Sequence, residues 1–411
     1  MKVWIRGCEY DVTGFRLVHP GGARVLERAA GHDVTDAFEM LHSRRARTAL
    51  RALRARPRDD DDDGPSTQAT EVAAALRELG RQFEAEGLYA PCRGFYAALC
   101  LALAALFAAA VGLTLRGRWV SGALTTAIFW QQAAGLGHDL GHSSVFRRRS
   151  ANQWAGSLLS AVTGLSSVWW RDDHNAHHLE CNSLQADPNI QHLPLLAVSE
   201  AFLGQSPLFS EYHKRHMIAG PFARAVVARQ HLLFYPFMAA ARVALYATGL
   251  AHLLLVAPAS PLVVAELVGI SLFFVGLFAL ASSLPSLAHA CAWLALSHAA
   301  AGVLHVQIVL SHWTMSTDEG DCGDCWYGRT LRTTMDIATP RALDWAHVGL
   351  QFQIEHHLFP RLPRPRLREA RRRVTRALEE VGALHLHHEA GFFQANASLL
   401  RHLRRLALAA R

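Results

Sequence analysis

The strongest constraint in this sequence is a run of apolar residues from Phe95 to Leu115 that no charge interrupts. About twenty such residues match the ~30 Å hydrocarbon layer of a bilayer when wound as one helix. Arg116 and Arg118 close the run. Val120 to Gly137 returns after a very short turn, and Gln131 and Gln132 near its end mark where the helix leaves lipid for a polar site. Three further apolar segments follow a long polar interval: Leu232 to Ala257, Pro261 to Leu284 and Leu287 to Leu310. Spans alone do not account for the chain, because 51% of its 411 residues are hydrophobic and 18% are charged. The pattern describes a protein part membrane and part soluble. No fixed period recurs, which excludes repeat, collagen and coiled-coil architectures.

Ahead of the spans, residues 1–57 read as a small polar domain. The acidic stretch from Asp59 to Ser66 has nothing to bury, so residues 58–69 are expected to be a linker and 70–411 the membrane domain. Val72, Leu76, Leu79 and Phe83 fall on one helical face, as suits an amphipathic helix at the membrane entrance. The net charge of +7 comes in short arginine runs beside apolar segments: Arg44, Arg45 and Arg47, then Arg147 to Arg149, then Arg361 to Arg373. Such runs read as cytosolic anchors rather than as a nucleic-acid surface. Seven cysteines, odd in number and scattered, argue against a secreted disulfide framework. Cys322 and Cys325 form a CxxC with no second pair, so a zinc or redox role there is not expected. The N-terminus, MKVWIRGCEYD, has no signal-peptide run, and targeting is left to internal spans.

Histidine is the outlier, with 24 residues that cluster. His138 and His142, at i and i+4, share a helix face at the mouth of the second span. His174, His177 and His178 present three more imidazoles at i, i+3 and i+4, and His356 and His357 add two before Leu358-Phe359-Pro360. One such pair is weak; three are strong. Imidazole ligation suits zinc, copper, iron and nickel, and seven ligands exceed one tetrahedral site, which implies two metals. Iron is favoured, because apolar helices beside the site suggest a lipid substrate and oxygen chemistry on lipid needs a redox metal. His312, at the end of the last span, is a candidate for a further ligand, with an interfacial histidine as the plainer alternative.

The motifs at 138–178 and at 356–357 can share one site only if an even number of crossings separates them. Three apolar segments intervene. Leu232 to Ala257 carries Arg242 at its centre, and a charge there costs about 2.5–3.5 kcal/mol. This segment is therefore expected at the interface, leaving four spans with the histidines and arginine runs on the cytosolic side.

The N-terminal domain carries a separate signal. His19-Pro20-Gly21-Gly22 precedes Gly31-His32-Asp33-Val34-Thr35-Asp36-Ala37-Phe38 and then His42. HPGG alone could be only a turn. With the segment that follows, His19 and His42 read as the two axial ligands of a haem that transfers electrons, since bis-imidazole ligation leaves no position for oxygen.

HPGG, HDLGH, HNAHH and QIEHH, in this order, resemble the front-end desaturases, membrane di-iron enzymes fused to an N-terminal cytochrome b5 domain. The likeness spans nearly the whole chain, and Gln353, where other membrane desaturases have histidine, is specific to it. WWRDDHNAHHLECNSLQADPNIQHLP and DWAHVGLQFQIEHHLFPRLPR look most like the plant-type branch of Δ8 sphingoid-base and Δ6 acyl desaturases. One departure is that the haem domain begins at the strand VWIRGCEYDV and lacks the segment that usually precedes it.

The resemblance implies a mainly α fold: four membrane helices under a cytosolic di-iron cap, with a small α+β cytochrome b5-like domain in front. It implies haem b on His19 and His42, and two iron ions on His138, His142, His174, His177, His178, His356 and His357. His312 would be a further ligand and Gln353 a ligand or a group beside one. Asp139, Asn175, Glu355 and Asp187 would orient imidazoles through hydrogen bonds. NADH-cytochrome b5 reductase would feed the haem, the linker would let it approach the irons, and molecular oxygen would be the oxidant for desaturation of an acyl lipid or ceramide. The endoplasmic reticulum membrane is the implied location. A hydroxylase on the same scaffold is the first rival, separated by its product. A histidine-lined metal transporter is a second, disfavoured because most histidines lie beyond the span ends.

Overall fold

The computed structural model describes residues 1–19, 21–50, 53, 55–57, 67–204, 207–317 and 325–411. The acidic stretch Asp59–Ser66, Pro20 and Cys322 lie outside the described residues.

The N-terminal unit is built on strands β1 (Lys2–Ile5) and β2 (Cys8–Asp11), helices α1 (Ala23–Ala29), α2 (Thr35–Leu41) and α3 (Arg44–Leu50), and strand β3 (Ala55–Pro57). The three strands form one antiparallel sheet in the order β1-β2-β3. Arg6 and Gly7 both take positive φ, which turns the two-residue β1–β2 hairpin with the twist of its strands. Val3 and Ile5 alternate inward and meet Val12 and Ala29 to form the small core.

Helix α4 (Thr67–Ala85) begins within the expected linker, three residues ahead of the boundary at 70. Its apolar stripe is the expected one, yet it faces protein rather than a membrane entrance. Val72, Leu76, Leu79 and Phe83 are buried with Tyr327, Leu331, Leu358, Phe359, Val374 and Leu378.

Helices α5 (Arg93–Leu115) and α6 (Trp119–Gly141) form an antiparallel hairpin. Next come α7 (Arg149–Thr163) and α8 (Ser167–Leu179), then strands β4 (Leu208–Ser210) and β5 (Arg215–Met217), the short α9 (Pro221–Val227), and α10 (Gln230–Leu255). α11 (Pro261–Ser282) and the nearly continuous pair α12 (Leu287–Ala301) and α13 (Val303–Leu310) complete the apolar set. The C-terminal third contributes α14 (Trp326–Thr333), β6 (Asp336–Ala338), α15 (Gln353–Leu358), α16 (Leu367–Glu380), β7 (Glu389–Gly391) and α17 (Phe392–Ala409). β6 and β7 pair in parallel.

Among the described residues four helices are long and apolar enough to cross a membrane: Arg93–Leu115, Gln230–Leu255, Pro261–Ser282 and Leu287–Leu310. The number matches expectation, but one member differs. α6 is not in the set, because its glutamines, glycines and His138-Asp139 dilute its apolar character, and α10 is.

Arg242 therefore does not set α10 apart for the reason first given. Its guanidinium is 3% exposed. It donates to Tyr246 Oη at 2.6 Å and to the Thr163 carbonyl at 2.5 Å, and it lies over the Trp130 ring. Partners inside the protein remove the cost assigned to a charge in lipid.

The two ends of α10 nonetheless engage different elements, and one of them meets the helix of the second histidine motif. Gln230 binds the backbone of Ala197 and Leu403, while His252 Nε2 lies 3.5 Å from Asp172 of α8. The α5–α6 and α11–α12 turns meet elsewhere, with Trp119 against His289. α10 thus joins α8 at one end to α17 at the other.

Candidate functional site

Three elements bring the histidines together. α6 ends with His138 and His142, whose ring centroids are 4.7 Å apart. α8 carries His174, His177 and His178, and α15 carries His356 and His357. The glycine of HDLGH permits this approach, because a Cβ on Gly141 would sit 2.0 Å from Trp170. Trp170 in turn stacks on His174 at 4.3 Å, fixing that ring. α8 is aimed from its first turn: Ser166 caps it through Trp169 N, and the buried Glu266 of α11 accepts from Ser157, Ser166 and the Val168 amide.

The imidazoles fall into two groups. His138, His142, His174 and His356 form one; His177, His312 and His357, joined by Cys181, form the other. Candidate ligand atoms within each group lie within 4.8 Å of one another. His178 stands between them, its Nε2 3.0 Å from both His174 Nε2 and His356 Nε2 and its ring stacked on His357 at 4.2 Å. His312 is placed inside the site, 4.8 Å from His177 and 4.9 Å from His357 between ring centroids. His177, His178, His312, His356 and His357 are each at most 3% exposed.

Such crowding disfavours the charged form of these rings. Burial pushes His312 down to about 3, and burial followed by neighbouring imidazoles pushes His174, His178, His356 and His357 well below the usual histidine range. The rings are thus held neutral, the form that ligates metal. Among the described residues His138 Nε2, His142 Nε2, His178 Nδ1, His312 Nε2 and both nitrogens of His357 are buried with no hydrogen-bond partner. Lone pairs facing one another inside a protein fit a pair of borderline metal ions.

The supporting residues follow expectation in part. Asp187 is fully buried and accepts from His177 Nδ1 at 2.8 Å, which leaves Nε2 toward the group. Asp139 is held mainly by Arg364 Nε at 2.6 Å and Tyr96 Oη at 3.0 Å, with His138 Nδ1 at 3.7 Å. Glu355 does not orient a ring of either group; it meets His387 Nε2 at 3.1 Å, beside Asp336. Asn175 also turns away, donating to the Gly21 carbonyl at 3.4 Å. Gln353 opens α15 and is 3% exposed, and its Oε1 has no partner among the described residues. It lies one turn ahead of His356 and His357 on the same face.

Cys181, Arg364 and His387 were not legible as site residues. A single cysteine gives no spacing, Arg364 sits in a run that read as surface anchors, and His387 is far along the chain from its partners. Arg361, in the same run, is also withdrawn from the surface, stacked on Tyr89 at 4.6 Å. Cys325 caps α14 through the Gly328 amide.

In the N-terminal unit, His19 and His42 face each other with ring centroids 5.9 Å apart. His19 Nδ1 donates to the Gly22 carbonyl and His42 Nδ1 to the Phe38 carbonyl, each at 3.2 Å. Each Nε2 is thereby left as the free ligand nitrogen. Burial lowers both histidines, His42 to about 3. Two neutral imidazoles, each with its Nδ1 committed to a carbonyl, have the chemistry of a bis-histidine haem pair.

The model for the fatty acid desaturase family matches residues 117–389, and that for the cytochrome b5-like heme/steroid binding domain matches residues 2–58. The chain is 36% identical over 419 residues to a protein of Helianthus annuus named Delta(8)-fatty-acid desaturase, covering 100% of this chain and 89% of that one. It is 35% identical to the acyl-lipid (9-3)-desaturase of Borago officinalis, covering 99% and 90%. The Delta 8-(E)-sphingolipid desaturase of Kluyveromyces lactis is 35% identical, over 82% of this chain and 59% of that protein.

Proposed function

As a member of the fatty acid desaturase family with a fused cytochrome b5-like domain, the chain is a membrane-embedded oxidoreductase with a di-iron centre and haem, and we propose that it places a double bond near the head-group end of a lipid chain. The substrate proposed is a Δ8 sphingoid long-chain base or a Δ6-type polyunsaturated acyl chain, as the names of its relatives suggest. The observation that carries this reading is the pair of buried imidazole groups with unpartnered nitrogens, meeting at the end of apolar helices.

His138, His142, His174 and His356 would hold one metal ion, and His177, His312 and His357 the other, with His178 between them. Gln353 would complete or adjoin the set, and His19 and His42 would hold the haem from its two faces. When bound, the irons supply oxygen chemistry at an unactivated C–H bond and the haem supplies single electrons. The residues do the rest. Asp187 fixes the tautomer and angle of His177, and Trp170 fixes His174. Arg364 and Tyr96 lock Asp139 at the end of α6, so the pitch of His138 and His142 is set by two other elements. Burial keeps water from the rings.

Residues 1–57 would form the haem unit, 58–69 the connection and 70–411 the desaturase unit. NADH through a separate cytochrome b5 reductase is the proposed electron source and molecular oxygen the oxidant. Placement in the endoplasmic reticulum, with histidines and haem domain facing the cytosol, would give both access to that reductant. Expression in yeast with mass spectrometry of fatty acids and long-chain bases tests the reading. A new olefin lighter by two hydrogens is expected. A product heavier by one oxygen, or an unchanged lipid profile from a haem- and iron-loaded enzyme, overturns it.

A further inference from the structure

The N-terminal unit is seated on the elements that carry the second histidine motif. From α1, Arg28 reaches Glu211 at 2.9 Å and Glu180, the residue that follows α8, at 3.3 Å. Arg24 lies over the Tyr212 ring at 4.5 Å. On the other flank Asp36 of α2 pairs with Arg77 of α4 at 2.6 Å, and Arg47 of α3 pairs with Glu84. Opposite charges on two separate flanks fix the orientation of one body on another, even though each partly exposed pair contributes little alone.

Between these flanks lies the loop that positions His19. His19 Nδ1 donates to the Gly22 carbonyl, and Asn175 Nδ2 donates to the Gly21 carbonyl one residue before it. Gly22 takes φ +95, and a Cβ there would approach the Asp172 carboxylate to 3.5 Å. The loop is thus built to lie close against α8. A continuous sequence of covalent and hydrogen bonds runs from the His19 ring through the Gly21–Gly22 peptide to Asn175. Asn175 is the chain neighbour of His174 and lies on the helix of His177 and His178.

We propose that this docked arrangement is the one from which electrons are delivered, with Arg28 as the clamp and Asn175 as the bridge, both positioning residues. The proposal rests on the desaturase reading above. It replaces a haem that must swing on its linker with one already held beside its acceptor. One electron crosses per passage, taking the haem from ferrous to ferric. Two passages, with two electrons and two protons from neighbouring methylenes and two protons from solvent, reduce one O2 to two waters. The reductant that restores the ferrous haem is the external flavin-type reductase, replaced by dithionite in the test.

The full-length, iron- and haem-loaded chain in lipid nanodiscs is reduced anaerobically and mixed with air-saturated buffer and yeast lipid extract, while the ferrous haem band is followed. Arg28→Glu should slow the lipid-dependent decay about tenfold or more, and Arg28→Glu with Glu211→Arg should restore most of the rate. Haem spectrum, midpoint potential and iron content should match wild type in each. Hydrogen exchange supplies an independent readout: α1 amides should lose protection in Arg28→Glu and regain it in the pair. Asn175→Ala should slow decay while α1 stays protected. Unchanged protection in Arg28→Glu, or an unchanged decay rate despite lost protection, would overturn the proposal. A wild-type chain whose haem decay is indifferent to lipid would sink the desaturase reading itself, whatever the protection pattern.

Discussion

His177 shows how much one side chain depends on another at this site. Its Nδ1 is bound to Asp187, which also accepts from the Asn182 and Asn189 amides, so the carboxylate is fixed before the ring is placed. His177→Ala should abolish product formation while the haem absorption spectrum stays intact. Turnover at the wild-type rate would refute the metal assignment. Asp187→Asn should lower activity or iron retention about 10- to 100-fold with haem unaffected, read by product yield and by iron content after dialysis. The seven motif histidines stand out in the sequence because they recur in three tight clusters, two of them at helical spacing. Cys181 and Arg364 do not, because nothing local separates a ligand-side cysteine or a buried arginine from an ordinary one. Asn175 was recognised as important but given the wrong partner. Its position inside HNAHH points to the metals, and only the folded chain reveals the Gly21 carbonyl on its other side.

The elements were easier to count than to assign. Five apolar segments read from hydropathy are five apolar helical stretches in the structure, and the hairpin turn at Arg116–Arg118 falls where expected. What hydropathy could not tell was where the polar groups of these helices go. α10 is apolar enough to span, yet Gln230, Arg242 and His252 along it all find polar partners inside the protein. Glu266 has the same logic. A carboxylate in a helix of high hydropathy reads as a blemish, but it collects two serine hydroxyls and an amide and so fixes the α7–α8 junction. Glu266→Leu would strand those donors at a cost of roughly 1–3 kcal/mol for each one left buried and unpaired. The apparent melting temperature of the detergent-solubilised protein should drop by several degrees, while Glu266→Gln, which keeps an acceptor, should drop less.

At the scale of the whole molecule, metal and fold are coupled. Eight imidazoles pack into one interior, and those of their buried nitrogens that lack a partner among the described residues gain one when ions bind, so occupancy adds to folding free energy. Removing iron with a reductant and chelator should lower the melting temperature of the membrane part and leave the haem spectrum unchanged; equal melting before and after would contradict the site. His42→Ala should do the reverse, losing the haem band while iron content persists. Composition alone suggests two units, since an acidic stretch parts a polar block from an apolar one. Their mutual seating is not legible there, because it depends on pairs such as Arg28 and Glu211 that lie 183 residues apart.

The parallel pairing of β6 with β7 joins Asp336 to Glu389, near the far end of the chain, and His387 meets Glu355 of the third histidine motif. Synthesis must therefore pass Glu389, some way beyond the third motif, before the floor under His356 and His357 exists. Iron loading then follows synthesis of the third motif, and a ribosome stalled just after it would hold a nascent chain with the three motifs made but their seat incomplete.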